Sequence, residues 1–433
     1  MEFKKAELFK KCEELNIPSY KYKSKPQLIE LIAKYSVLSE PIKPTLKFID
    51  LFCGIGGFHQ ALSRIPNTEC VFACDIDKKC REVYETNYHL KPESDITKID
   101  VSKIPDFDIL CGGFPCQSFS NSGKKKGLAD SRGNLFEHIL KIATAKNPSF
   151  LFLENVKHIK KIDGGKVFNH ILSRINESGY YVGENTIFEL SPHQFGIPQQ
   201  RERVIFVCIR KDKYTDKLIL TPPSIPIDLT KILEKDPHPK YRISKEIEEV
   251  LDAWNEIIQQ MDTNENLSPT ILCNEFYRTY TPQEFQVLPA WKKDYIRKNR
   301  PLYEKYQAKW DEWYEKHPVL QKKEIYGKLE WQVGKTAPQE SIYNHFIQLR
   351  QSGIRIKKSV YFPTLVAIVQ TPIYAKEKRF ITPRECARLQ SFPDSFIMPT
   401  NDHDAYKQFG NAVNVDVIHF VIERTLRTLD HLV

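Results

Sequence analysis

A chain of 433 residues is long enough for two domains, each with its own core. Its 64 basic and 55 acidic side chains leave a net charge of +9, which leans towards a polyanionic partner without requiring one. The start of the chain is charged and amphipathic, no run of about 18 apolar residues follows, and ten scattered cysteines form no C-x-x-C pair. These features exclude a secretory leader, a spanning helix, a disulfide framework and a structural zinc or other metal site, so a soluble protein of a reduced intracellular compartment is expected.

Residues 5 to 34 carry two short helical patterns, one with Leu8, Cys12 and Leu15, the other with Leu28, Ile29 and Ile32. Between them lie the turn-like Asn16-Ile17-Pro18-Ser19 and the basic Lys21, Lys23 and Lys25. This two-helix unit, residues 1–36, resembles a SAP-type DNA-binding motif, although spaced leucines and lysines equally suit a plain helical hairpin with a solvated basic face. Residues 37–46, with Pro41 and Pro44, read as a linker.

From Leu46 strands and helices alternate. Strands are predicted at 47–52, 70–75, 108–111, 149–154 and 204–209, and helices at 58–65, 78–88, 134–146 and 166–178. Such alternation means a mostly parallel, doubly wound α/β sheet, in which ligands bind beyond the carboxyl ends of the strands. The glycine loop Cys53-Gly54-Ile55-Gly56-Gly57 follows the first strand, and Asp75 ends the second, about twenty residues on, where an acid can take ribose hydroxyls. A pyrophosphate fingerprint wants a third glycine at 59, where His59 stands. The loop therefore suits an uncharged or cationic nucleoside such as S-adenosylmethionine, with a simple turn as the competing reading.

The run Gly112-Gly113-Phe114-Pro115-Cys116-Gln117 places a thiol just past the third strand, with a proline fixing its approach. Free cysteines are most often small buried hydrophobes, but a thiolate is the strongest nucleophile among ordinary side chains, and this one sits where a substrate would be met.

Seven blocks in order now resemble the C5-cytosine DNA methyltransferase family: Phe48 to Phe58, Ser94 to Thr97, Gly113 to Ser120, Leu153 to Val156, Gln199 to Arg203, Pro383 to Gln390 and Gln408 to Val413. The resemblance implies a Rossmann-like S-adenosylmethionine-dependent core at 47–212. It also implies a smaller target-recognition domain inserted at 213–375 and a return to the catalytic fold at 376–433. A monomer acting on double-stranded DNA is expected, with no membrane partner. The same resemblance makes Cys116 the nucleophile that adds to cytosine C6. Glu154 becomes the acid at N3, which must be protonated or share the base's proton, as a desolvated pocket favours. Arg203 would hold O2, and Arg201 would support the catalytic loop. Without the family, Glu154 reads as a helix cap and Arg-Glu-Arg as a solvated strand.

For the cofactor, the resemblance implies Phe52 against adenine, the backbone of Gly54, Ile55, Gly56 and Gly57 at the methionine portion, and Asp75 at the ribose, with Ile76 also in the cofactor site. Asp95 and Ile96 would take the adenine, and Gly113, Pro115, Asn411, Ala412 and Val413 would close the pocket. Ala412 stands where some relatives carry serine. Residues 120–133, glycine-rich with Lys124, Lys125, Lys126 and Arg132, read as a mobile loop, and the resemblance implies that it closes over DNA.

All five tryptophans lie between 213 and 375, and a helix over 302–316 carries Tyr303, Tyr306, Trp310 and Trp313 at core spacing. Gly353 to Lys358 alternates apolar and basic residues, as a strand facing DNA on one side would. A tRNA methyltransferase of the same fold is the alternative. That branch carries a Cys-Phe-Thr run in the recognition region, whereas this chain has only Cys273 there, in Cys-Asn-Glu-Phe.

Overall fold

The computed structural model describes residues 5–14, 20–39, 45–115 and 134–429, apart from 217, 219, 266, 268, 338, 339, 359 and 369. Two compact units result, Met1–Leu46 and Lys47–Val433. Among the described residues no helix is long and apolar enough to cross a membrane.

In the first unit, helices Lys5–Glu14 and Lys25–Ser39 flank a short turn at Tyr20–Tyr22. Leu8, Cys12, Tyr20, Leu28 and Ile32 form its small core. Leu28 and Ile32 are four apart and share the inner face, which leaves Ile29 exposed rather than buried with them. Leu15 and the turn 16–19 lie outside the described residues. The second helix runs on to Ser39, past the expected linker start, because no breaker occurs before Pro41.

The second unit holds two sheets. The first comprises β1 (Leu46–Leu51), β2 (Thr68–Cys74), β3 (Ile109–Gly113), β4 (Phe150–Val156), β5 (Tyr180–Tyr181), β6 (Ile187–Leu190) and β7 (Arg203–Arg210). Its order is β2-β1-β3-β4-β7-β5, with β6 also on β7. Strands β1, β3 and β4 run parallel. β7 lies antiparallel to β4, as do β5 and β6 to β7, so the sheet is parallel on one side only. β5 and β6 have no counterpart in the sequence reading, since they are too short for a period to show. Helices cover both faces, which is why Ile109–Cys111, Phe150–Leu153 and Val204–Ile209 are apolar and buried without alternation.

The second sheet comprises β8 (Thr270–Leu272), β9 (Lys328–Gln332), β10 (Phe346–Arg350), β11 (Gly353–Lys357), β12 (Ile373–Tyr374) and β13 (Arg379–Phe380), in the order β13-β12-β10-β11-β9-β8. It extends to Phe380, beyond residue 375, because β13 closes a hairpin on β12. Trp254, Trp310, Trp313 and Trp331 pack with Ile271, Leu329, Ile347, Ile354 and Ile356 into a separate core. The indoles of Trp254 and Trp313 donate to the carbonyls of Tyr326 and Ala253 at 2.8 and 2.6 Å. The tyrosine and tryptophan stripe is core as expected, but the single helix is two, Ala290–Lys305 and Gln307–Lys316. The break falls at Tyr306, at φ −123°, whose hydroxyl is drawn to Glu265 at 2.6 Å.

Arg379 of β13 is buried against the fully buried Glu385, with bonds of 2.9 and 2.8 Å to its two oxygens. Glu385 also caps its own helix, Pro383–Leu389, by accepting from the Thr382 amide at 2.8 Å. Removing Glu385 leaves the buried Arg379 guanidinium with its bond to Glu377 at 2.6 Å as its remaining ion pair among the described residues. Glu385→Ala should therefore cost about 3 kcal/mol or more in urea unfolding, and pairing it with Arg379→Met should recover part of that loss.

Candidate active site

The carboxyl ends of β1, β2, β3 and β4 gather the expected site residues. After β1 the chain turns through Phe52, at φ 55°, into Gly54 and Gly56, at φ 54° and 86°. Only glycine holds such angles without strain, and at Gly56 a Cβ would lie 2.2 Å from the Tyr88 ring. Gly56→Ala should therefore cost about 2 to 4 kcal/mol in denaturant unfolding and weaken nucleoside binding by calorimetry. An unchanged melting curve would show that the loop can yield.

The loop is tied to β2. The Gly54 amide donates to Asp75 Oδ2 at 2.8 Å, and the Asp77 amide donates to Oδ1 at 2.8 Å. Burial pushes the Asp75 carboxyl up while these two amides pull it down, and each oxygen keeps a lone pair for a hydroxyl donor. A Cβ at Gly54 would meet nothing within 4 Å, so the loop faces open space there. Beside it Ile76 is 76% exposed, an apolar surface at the rim, and Phe52 is half-buried.

Gly57 packs against Val413, which a Cβ would approach to 2.5 Å, so the block Asn411–Val413 closes on the loop. Asp95 caps a short turn by accepting from the Thr97 amide and hydroxyl at 3.0 and 2.7 Å. The Ile96 side chain is buried in the core, so only its backbone is left to meet a ligand. Ile55 is likewise buried. His59, in the place of a third glycine, stacks on Tyr88 at 3.9 Å and bonds the Tyr84 hydroxyl through Nδ1 at 2.7 Å. Burial pushes its pKa down to about 4, so the ring is neutral at pH 7.

Register explains the next contact. Glu154 of β4 lies opposite Ile205 of β7, and Arg203 is two residues from Ile205, hence on the same face. Arg203 Nε reaches Glu154 Oε1 at 2.8 Å, and its Nη1 donates to the Glu202 carbonyl at 2.9 Å. Nη2 has no bond among the described residues. Gly113 is paired with Glu154, and a Cβ there would lie 3.5 Å from Glu154 Oε2. The chain thus leaves β3 beside this carboxylate and reaches Pro115. Cys116 and the loop to Gly133, with Lys124, Lys125, Lys126 and Arg132, lie outside the described residues.

Arg201 differs from Arg203 in what it bonds: its partners are backbone carbonyls. Its guanidinium is buried and donates to the carbonyls of Leu365, Gly410 and Ala412 at 2.7, 3.0 and 3.0 Å, with burial disfavouring its charge. It ties the approach to β7 to the block Gln408–Val413 and to the end of the second sheet's connection. With Glu154, Pro192, Arg203, Val413 and Asn414 it also lines one small cavity.

Two residues were missed. Asn155 Nδ2 donates to the Phe114 carbonyl at 3.0 Å, holding the backbone two residues before Cys116. The visible signal was an amide in a buried strand end, directly after Glu154. Asp50, in β1, is fully buried, and burial drives its carboxyl far up while the His59 amide pulls it down. An acid inside an apolar strand was the signal there.

A glycine loop tied to an acid at the end of β2 and a carboxylate–guanidinium pair at neighbouring strand ends thus lie on one α/β sheet. The model of the C-5 cytosine-specific DNA methylase family matches residues 46–427. The Type II methyltransferase M.HhaI of Haemophilus parahaemolyticus is 31% identical over 376 residues, covering 87% of this chain and 93% of that one. M.HpaII of Haemophilus parainfluenzae is 31% identical over 423 residues, covering 94% and 97%. Among solved structures, the Entamoeba histolytica methyltransferase EhMeth shares the fold at a TM-score of 0.54 and 17% identity, covering 89% of this chain and 99% of that one. The chain belongs to the C-5 cytosine-specific DNA methylase family.

Proposed function

We propose that this protein transfers a methyl group from S-adenosylmethionine to C5 of a cytosine flipped out of a short duplex DNA sequence, as the modification enzyme of a type II restriction–modification system. The observation that carries the reading is the Glu154–Arg203 pair at the strand end beside Gly113, three residues before Cys116. Cytosine C5 is too poor a nucleophile to take a methyl group unaided. The Cys116 thiolate adds at C6, Glu154 supplies a proton or a strong hydrogen bond at N3 as negative charge builds on the ring, and Arg203 fixes O2 through Nη2, which has no bond among the described residues. Extrusion of the base costs a few kcal/mol, which backbone contacts and closure of the 120–133 loop offset.

The residues present suit the cofactor. Open space over Gly54, two free lone pairs on Asp75 and the exposed Ile76 form a cradle for a nucleoside, with Asn411–Val413 closing it. When bound, S-adenosylmethionine supplies an electrophilic methyl group. The N-terminal unit, residues 1–36, adds basic surface to DNA through Lys21 and Lys23, which are exposed. The recognition domain is 213–380, taking in the β12–β13 hairpin, and the catalytic domain is 47–212 with 381–433. Cys273 is fully buried in the second core, which suits packing rather than the Cys-Phe-Thr chemistry of the tRNA branch.

Incubating the protein with methyl-labelled S-adenosylmethionine and either plasmid DNA or total tRNA tests this reading. Label in 5-methylcytosine of DNA at one recurring sequence is expected. Label confined to tRNA would contradict it.

A further inference from the structure

The polar face of the second sheet carries a row of side chains whose arrangement goes beyond what holding the strands together requires. In β11 Ile354 and Ile356 turn into the core, so Arg355 and Lys357 lie on the opposite face. Arg355 is in register with Gln348 of β10 on one side and Glu330 of β9 on the other. Glu330 is buried, and its Oε2 lies 2.7 Å from both Nε and Nη2 of Arg355. Arg350 Nη1 approaches the same oxygen at 3.4 Å, while its Nε lies 3.4 Å from Gln370 Oε1. Two guanidiniums share one carboxylate, so the cluster keeps a net positive charge. Lys357, half-buried and without an acidic partner among the described residues, adds to it. Burial and the nearby Arg355 both push its pKa down.

Excess cation on a partly buried face costs free energy until an electron-rich partner arrives. The geometry also selects which edge is free. Arg355 spends its side edge, Nε and Nη2, on Glu330, and its end edge, Nη1 and Nη2, stays available on a side chain 25% exposed. A guanidinium held from one side presents a fixed pair of donors, which matches the O6 and N7 acceptors of guanine in the major groove. The row also leads to the reaction centre, since Lys357 lines a cleft with Lys157, His158, Gln200, Arg203 and Thr364.

We propose that Arg355, oriented by Glu330, reads a guanine of the recognition sequence, and that Lys357 bridges the reading face to the phosphate backbone at the extruded cytosine. This rests on the reading of the chain as a DNA cytosine methyltransferase.

The methylated sequence should be mapped at single-base resolution for the wild type, Arg355→Gln, Arg355→Lys and Glu330→Gln, with kcat/KM measured on the cognate duplex and on duplexes altered at each G·C pair in turn. Discrimination is a ratio on one preparation, so it is insensitive to the fraction folded. Arg355→Gln should lose about 10- to 100-fold of discrimination at one G·C pair and keep it elsewhere. Arg355→Lys should lose less, and Glu330→Gln should weaken discrimination at the same pair. Unchanged discrimination at every G·C pair in Arg355→Gln would overturn the assignment while leaving the methyltransferase reading intact. A wild type that methylates no DNA would remove that reading, and this inference with it.

Discussion

Cys116→Ala is expected to slow methyl transfer to cytosine by at least about 10⁴-fold, while S-adenosylmethionine and duplex DNA still bind. No other described group can take over the addition at C6. Cys111, in β3 five residues before Cys116, and Cys53, just past β1, are buried, and burial pushes both thiols far up and away from the thiolate. The groups proposed to bind ligands are residues other than the thiol: the loop at Gly54 and Asp75 for the nucleoside, and the cationic face of β10 and β11 for DNA. Single-turnover kinetics on a cognate duplex, with calorimetry for each ligand, separate the two effects. A rate within tenfold of wild type would mean that the reaction does not pass through this thiol.

Glu154→Gln is expected to lower the single-turnover rate by about 10² to 10⁴-fold with little change in DNA affinity. Glutamine fills the same space and offers an amide hydrogen to N3, but it has no proton to give. It also removes the negative partner of Arg203, whose Nε lies 2.8 Å from the carboxylate, so the guanidinium that positions O2 loses its anchor. Arg203→Lys should lose less rate than Glu154→Gln and more affinity for the extruded base, because lysine keeps the charge and loses the fork. A Glu154→Gln enzyme within threefold of wild type would remove the acid role from this residue.

Much of this site was legible in the sequence because it sits at strand ends. β3, β4 and β7 are largely apolar runs marked near one end by a residue type that a buried strand does not otherwise want: Gly113 closes β3, Glu154 lies two residues before the end of β4 and Arg203 opens β7, while Gly54 follows β1. What the sequence hid depends on register and on rotamer. Glu154 and Arg203 are 49 residues apart in sequence and meet only because β4 and β7 pair antiparallel with Glu154 opposite Ile205. Arg201, two residues from Arg203 and alike in type, turns instead to three backbone carbonyls. Ile96 sits in a block with Asp95 yet buries its side chain in the core. The row Gln348, Arg355, Glu330 comes from three strands whose order, β10-β11-β9, is not their order in the chain. Tyr306 interrupts a helix whose stripe of aromatic residues gave no sign of a break, and its hydroxyl meets Glu265, a residue 41 positions away in sequence.

The covalent step can be watched on its own. A duplex carrying 5-fluorocytosine at the methylated position permits addition at C6 and methyl transfer to C5, but the fluorine then occupies the place of the proton that must leave, so the protein stays bonded to the base. Incubated with S-adenosylmethionine and this duplex, the wild type should give a complex that survives denaturing electrophoresis, with the Cys116 peptide carrying the added mass, and Cys116→Ala should give none. A wild type that methylates unmodified cytosine yet forms no such complex, or a complex retained in Cys116→Ala, would contradict the mechanism.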